Sequence, residues 1–132
     1  KNVKMKGGTM RLGAYACEVK EGTQAYKAYQ STLIYERHRH RYELNNEYLK
    51  DFELEGLIAS GINPDTKLVE IMELAHHPFF LGTQYHPELK STVETPHPLF
   101  VAFVRACLEE KLKRQENGQN STVMSGKKLV TK

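Results

Sequence analysis

An α/β domain, a sheet with helices against it, is the fold class this sequence predicts, and three observations predict it. Short strand-like runs at Leu57, Leu68 and Phe79 follow one another closely, as in a meander. Helical segments with capping signals flank them, and the longest, from Pro98, carries an apolar face. At 132 residues the chain is one domain at most and long enough for a real core.

The elements follow in order. Met10 to Val19, small and apolar, reads as a strand, and Thr23 is a suitable N-cap for a short helix to Tyr29. Thr32 to Tyr42 reads as extended chain. Asn45 or Asn46 caps a helix through Lys50, Phe52 and Leu54, with Gly56 at C′. Leu57 to Ser60 is a strand, Gly61 to Thr66 a turn around Pro64, Leu68 to Leu74 a strand, and Phe79 to Tyr85 another. From Pro98 a helix is predicted to about Lys113, with Leu99, Phe100, Phe103, Val104 and Leu108 on one face. Residues 1–113 are thus expected to form the domain. Residues 114–132, polar and without periodicity, read as a disordered tail.

Composition narrows the function classes. Nineteen Lys and Arg against 16 Asp and Glu give a net charge of +3, too balanced and dispersed for a nucleic-acid or membrane surface. No apolar run approaches the roughly 18 residues of a bilayer span, and no signal peptide opens the chain. With two cysteines and no secreted-type framework, a cytoplasmic setting is expected.

Chemistry concentrates in two places. Gln84-Tyr85-His86-Pro87-Glu88 closes an apolar strand and delivers an imidazole and a carboxylate two residues apart. Pro87 removes a backbone donor and fixes φ, so the strand cannot continue. A carboxylate beside an imidazole sets its tautomer and stabilises its protonated form, as a nucleophile's base requires. A His-Pro-Glu string is also an ordinary surface turn. The second cluster is Arg37-His38-Arg39-His40-Arg41-Tyr42-Glu43, where an extended chain puts the arginines on one face and the histidines on the other. An arginine fork suits a carboxylate, while a charged edge strand that resists aggregation is the plainer account. A metal at His38 and His40, with His76 or His77, lacks the spacing of known motifs, so no metal site is predicted. Cys17 and Cys107 both read as small buried hydrophobes, since neither sits at a strand-to-helix elbow between small residues.

Taken together, Gly7-Gly8-Thr9-Met10-Arg11-Leu12-Gly13, the string Glu36 to Glu43, Leu68-Val69-Glu70-Ile71, His77-Pro78-Phe79-Phe80, Gln84 to Glu88 and His97-Pro98-Leu99-Phe100 closely resemble the CTP synthase family, in the C-terminal part of its class I glutamine amidotransferase domain. His-Pro-Glu alone is common to many class I amidotransferases. The arginine-histidine string and the glycine-rich opening are more specific. The resemblance implies an open, mostly parallel sheet with flanking helices, here expected to be incomplete. It implies glutamine hydrolysis by a Cys-His-Glu triad, with ammonia passed to a synthase domain that aminates UTP to CTP using ATP and Mg2+. His86 corresponds to the triad base and Glu88 to its orienting carboxylate. Arg41, with Tyr42 through its backbone, corresponds to the glutamine site.

The elbow cysteine and the synthase domain are expected upstream of residue 1. The segment itself is then expected to bind no cofactor, to be inactive alone, and to associate with itself through uncovered apolar surface. Its partners would be L-glutamine and the rest of the same polypeptide, a homo-oligomer at full length. The alternatives are another class I amidotransferase or a non-catalytic interaction module. The arginine string and His97-Pro98-Leu99-Phe100 argue against the first.

Overall fold

A computed structural model describes residues 10–126. Five strands form one sheet in the order β2-β1-β3-β4-β5: β1 (Arg11–Val19), β2 (Leu33–His40), β3 (Leu57–Ile62), β4 (Val69–Leu74) and β5 (Leu81–Thr83). The helices are α1 (Gln24–Tyr29), α2 (Leu49–Leu54) and α3 (Pro98–Gly126). The α/β class holds, but the mostly parallel sheet implied by the resemblance does not extend to these strands, which all pair antiparallel. β2 and β3 run in the same direction, yet β1 lies between them. From β3 onward the connections are too short for the crossover that parallel pairing needs.

Local chemistry accounts for the boundaries. The Thr23 side chain accepts from the Tyr26 N–H at 3.1 Å and donates to the Lys20 carbonyl at 2.6 Å, locking the turn into α1. The Glu73 carboxylate accepts from the Gln24 and Ala25 N–H groups at 2.8 and 3.0 Å, so β4 supplies a second cap to the same helix end. Asn45 caps the 3₁₀ turn that leads into α2. After α2, Gly56 takes φ +84°, a left-handed conformation that lets the chain reverse into β3. β3 extends through Gly61 and Ile62, residues expected in the following turn, because they pair with Val19 and Glu18 of β1. The last strand is shorter than expected at both ends: Phe79 belongs to the bend that precedes β5, and Gln84 and Tyr85 to the bend that follows it.

The core is Cys17, Val19, Ala25, Ile34, Ile71, Tyr85 and Leu99, with Tyr26, Ala28, Tyr29 and Leu81 packed around it. β1 and β3 share only two paired positions, so the sheet curls. The chain leaving β5 is consequently bonded to β4 at Gln84 (N–H to the Glu70 carbonyl, 2.9 Å) and to β2 at His86 (N–H to the Arg37 carbonyl, 2.9 Å).

α3 continues to Gly126, past the end expected near Lys113. No proline interrupts it, and the segment beyond Lys113 begins with Arg, Gln and Glu, all good helix formers. Its apolar face behaves differently from expectation: Leu99 is buried, but Phe100, Phe103, Val104 and Leu108 are exposed. Among the described residues no helix is long and apolar enough to cross a membrane. Residues Gly7, Gly8 and Thr9 of the glycine-rich opening, and 127–132 of the predicted tail, lie outside the described residues.

Candidate active site

Tyr85, two residues past β5, is buried, and the chain then turns outward, so His86 follows an anchored residue toward solvent. His86 precedes a 3₁₀ turn, Pro87–Lys90, with proline at its first position, where a missing N–H costs nothing. The turn brings Glu88 back over the imidazole, and Glu88 Oε1 lies 2.6 Å from His86 Nδ1. A carboxylate can only accept, so Nδ1 carries the proton and the neutral ring leaves its lone pair on Nε2. Nε2 makes no hydrogen bond among the described residues. The hydrogen bond from His86 holds the Glu88 carboxyl below the usual carboxylate range, so it is ionised at neutral pH. The two side chains are 41% and 59% exposed, which keeps the imidazole accessible to a reacting group.

β2 alternates as predicted, with Arg37 and Arg39 outward and Glu36 and His38 buried. Arg41 follows the strand with an exposed side chain, engaged in no ion pair among the described residues. His86 is bonded to β2 at Arg37, and Arg41 sits in the bend just past the end of that strand. The Tyr42 side chain is exposed, and its carbonyl lies 3.2 Å from His40 Nδ1.

The inward histidines belong to a buried polar cluster. His38 Nδ1 and His40 Nε2 are 2.7 Å apart, and Arg11 donates to Glu70 at 2.8 Å and to Glu43 at 3.3 Å. Burial, reinforced by Arg11 and His40, pushes His38 down to about 4, so it is neutral at pH 7. His38, His40 and Glu70 lie close enough together for a metal ion. The two rings bond to each other and Arg11 occupies Glu70 Oε1, while the buried His38 Nε2 and Glu70 Oε2 face each other at 3.6 Å without a hydrogen bond. His76 and His77 sit apart from it, exposed between β4 and β5.

Of the two thiols, Cys17 is fully buried as expected, but Cys107 is exposed on α3, because nothing among the described residues covers that part of the helix. Burial, with Glu70 and Glu36 nearby, pushes the Cys17 thiol up to about 12, far from a nucleophile's range. Neither thiol bonds to His86. In the native protein an aromatic disulfide reagent is expected to label Cys107 readily, and Cys17 at least about 100-fold more slowly. Equal labelling of the two would contradict this packing.

The sequence reading assigned no role to Glu36, Tyr29, Tyr85 or His97 as a group. The Glu36 carboxylate accepts from the Tyr29 hydroxyl at 3.0 Å and from His97 Nε2 at 2.9 Å, with Lys90 Nζ at 3.5 Å. Burial alone would raise its pKa, but His97, Lys90 and Tyr29 outweigh burial and hold it below the ordinary carboxylate range. The stability it contributes is therefore complete above the ordinary carboxylate range and lost as pH falls through the lowered value. The only signal in the sequence was a charged residue, Glu36, in phase with apolar Ile34 on the inward side of a strand.

Comparison with known proteins adds to this geometry. Residues 1–106 match the family model for glutamine amidotransferase class-I. The chain is 68% identical over 106 residues to a CTP synthase of Cytophaga hutchinsonii, covering 80% of this chain and 20% of that protein. It is 64% identical over 113 residues to a CTP synthase of Aquifex aeolicus, covering 86% and 21%. The chain thus spans about a fifth of the length of these curated relatives. Among solved structures it resembles the glutaminase domain of Trypanosoma brucei CTPS with bound acivicin, with TM-score 0.73 and 35% identity, covering 80% of this chain and 43% of that one.

Proposed function

The chain belongs to the class-I glutamine amidotransferase family, and from that premise we propose that it is the glutaminase part of a CTP synthase that contributes the base and its orienter to a Cys-His-Glu triad. The observation that carries this reading is the 2.6 Å contact between His86 Nδ1 and Glu88, which leaves Nε2 free on an accessible ring.

In the proposed reaction a thiol from another part of the polypeptide gives its proton to His86 Nε2, and the sulfur attacks the side-chain amide carbon of glutamine. The imidazolium, stabilised by Glu88, returns the proton to the departing nitrogen, and ammonia leaves. Water, deprotonated by the same imidazole, then cleaves the thioester to release glutamate. Arg41 binds the substrate α-carboxylate through its fork, with Tyr42 assisting through its backbone.

The ammonia serves ATP-dependent amination of UTP to CTP elsewhere in the polypeptide. In this reading ATP and Mg2+ act in that other part.

The test is Arg41→Lys in the full-length polypeptide, assayed with glutamine and separately with ammonia. A lysine keeps the charge but loses the bidentate geometry. The Michaelis constant for glutamine is expected to rise about 10-fold or more, consistent with one charge-assisted hydrogen bond, while ammonia use stays unchanged. A full-length polypeptide that uses ammonia but releases none from glutamine would overturn the reading.

A further inference from the structure

We propose that Glu36 is a positioning residue for glutamine hydrolysis, the single buried anchor to which both flanks of the His86–Glu88 pair are tied. On the upstream flank, Tyr85 immediately precedes His86. Its hydroxyl meets that of Tyr29 at 2.9 Å, and Tyr29 donates onward to Glu36 at 3.0 Å. On the downstream flank, Lys90 closes the 3₁₀ turn that carries Glu88. Its ammonium reaches the Tyr35 carbonyl at 2.5 Å and Glu36 at 3.5 Å. Further along, His97 Nε2 donates to Glu36 at 2.9 Å, while His97 Nδ1 accepts from the Leu99 N–H at 3.2 Å, so the ring has one tautomer and no freedom to turn. The His97 N–H bonds to Ser91 Oγ at 3.0 Å, which pins the loop after the turn.

Two hydrogen-bond donors, Tyr29 of α1 and His97 just before α3, and the Lys90 ammonium of the 3₁₀ turn therefore converge on Glu36 Oε1. The His86–Glu88 pair between those ties is itself only partly covered, its side chains 41% and 59% exposed. A base whose neighbours are free to drift loses alignment with its nucleophile, and a displacement of about 1 Å costs about 10²-fold in rate. Glu36 sits on β2 beside Arg37, whose carbonyl receives the His86 N–H, so strand and segment are registered by backbone and side chain together. Glu36 is buried and touches no reacting atom; it acts only through these ties.

This inference rests on His86 and Glu88 being the base and its orienter, and the experiment separates the two claims. In the full-length polypeptide, Glu36→Gln, Lys90→Met and His86→Gln are each assayed with glutamine and with ammonia. Glu36→Gln is expected to lower glutamine-dependent kcat about 10- to 100-fold with KM for glutamine within about three-fold and ammonia-dependent turnover retained. Lys90→Met removes one tie from a partly exposed side chain and leaves the core intact. It is expected to lower kcat about 3- to 10-fold in the same pattern, and it carries the test if Glu36→Gln does not fold. Normal glutamine kcat in the Lys90 and Glu36 variants, with His86→Gln inactive, overturns the positioning role alone. Parallel loss of glutamine and ammonia turnover overturns it too, because a general structural defect spares neither. Unimpaired glutamine turnover in His86→Gln removes the base assignment and this inference with it.

Discussion

A glutamine in place of His86 is expected to lower glutamine-dependent turnover of the full-length polypeptide by about 10³–10⁴-fold while ammonia-dependent turnover continues. The magnitude follows from the two jobs assigned to one ring, taking the thiol proton and returning it to the leaving nitrogen. An amide side chain is close in size but does neither. Glu88→Gln is expected to be milder, about 10- to 100-fold. Its contact with His86 is short at 2.6 Å, but both groups face solvent, where water partly replaces a lost carboxylate. The amide also presents an N–H where the ring needs an acceptor, so orientation is lost along with charge. Steady-state kinetics with the two nitrogen sources measure both effects. If His86→Gln and Glu88→Gln cost the same small factor, the pair is a surface contact and the base lies elsewhere.

The largest expected effect on stability comes from Gly61→Ala. A Cβ at this position would lie 2.5 Å from Ile71 Cγ1, 2.7 Å from Ile71 Cδ1 and 2.8 Å from Cys17 Sγ, closer than real side chains approach. Ile71 and Cys17 are fully buried core residues, and Gly61 sits where the β3–β4 register shifts, so three elements would have to part at once. The expected cost is about 2–3 kcal/mol, a large share of the roughly 5–15 kcal/mol of a domain this size. Urea denaturation of the single variant and of Gly61→Ala with Cys17→Ala checks it. The second change removes one of the colliding atoms and should recover part of the loss. A cost below about 0.5 kcal/mol would mean the core is looser than these distances imply.

Much of this was legible before any coordinates. Alternation along Leu33–His40 separated Arg37 and Arg39 from Glu36 and His38, and Thr23, Asn45 and Gly56 marked helix ends through chemistry that is local by nature. The His86–Glu88 contact was legible for the same reason, since its two residues are two apart. What stayed hidden depends on partners distant in the chain. Glu36 meets His97 across 61 positions and Arg11 meets Glu70 across 59, and no periodicity foretells that a carboxylate will be buried against a donor so remote. Cys107 and the apolar residues of α3 show the converse limit. An apolar stripe says that a helix can be covered, not what covers it.

The segment that carries His86 also shields the open side of β2. The His86 N–H satisfies the Arg37 carbonyl and Lys90 satisfies that of Tyr35, two acceptors that a foreign strand would otherwise find waiting. Chemistry and colloidal behaviour are thereby joined in one short stretch of chain. Any change that releases it frees the His86–Glu88 pair from β2 and at the same moment uncovers a template for intermolecular pairing.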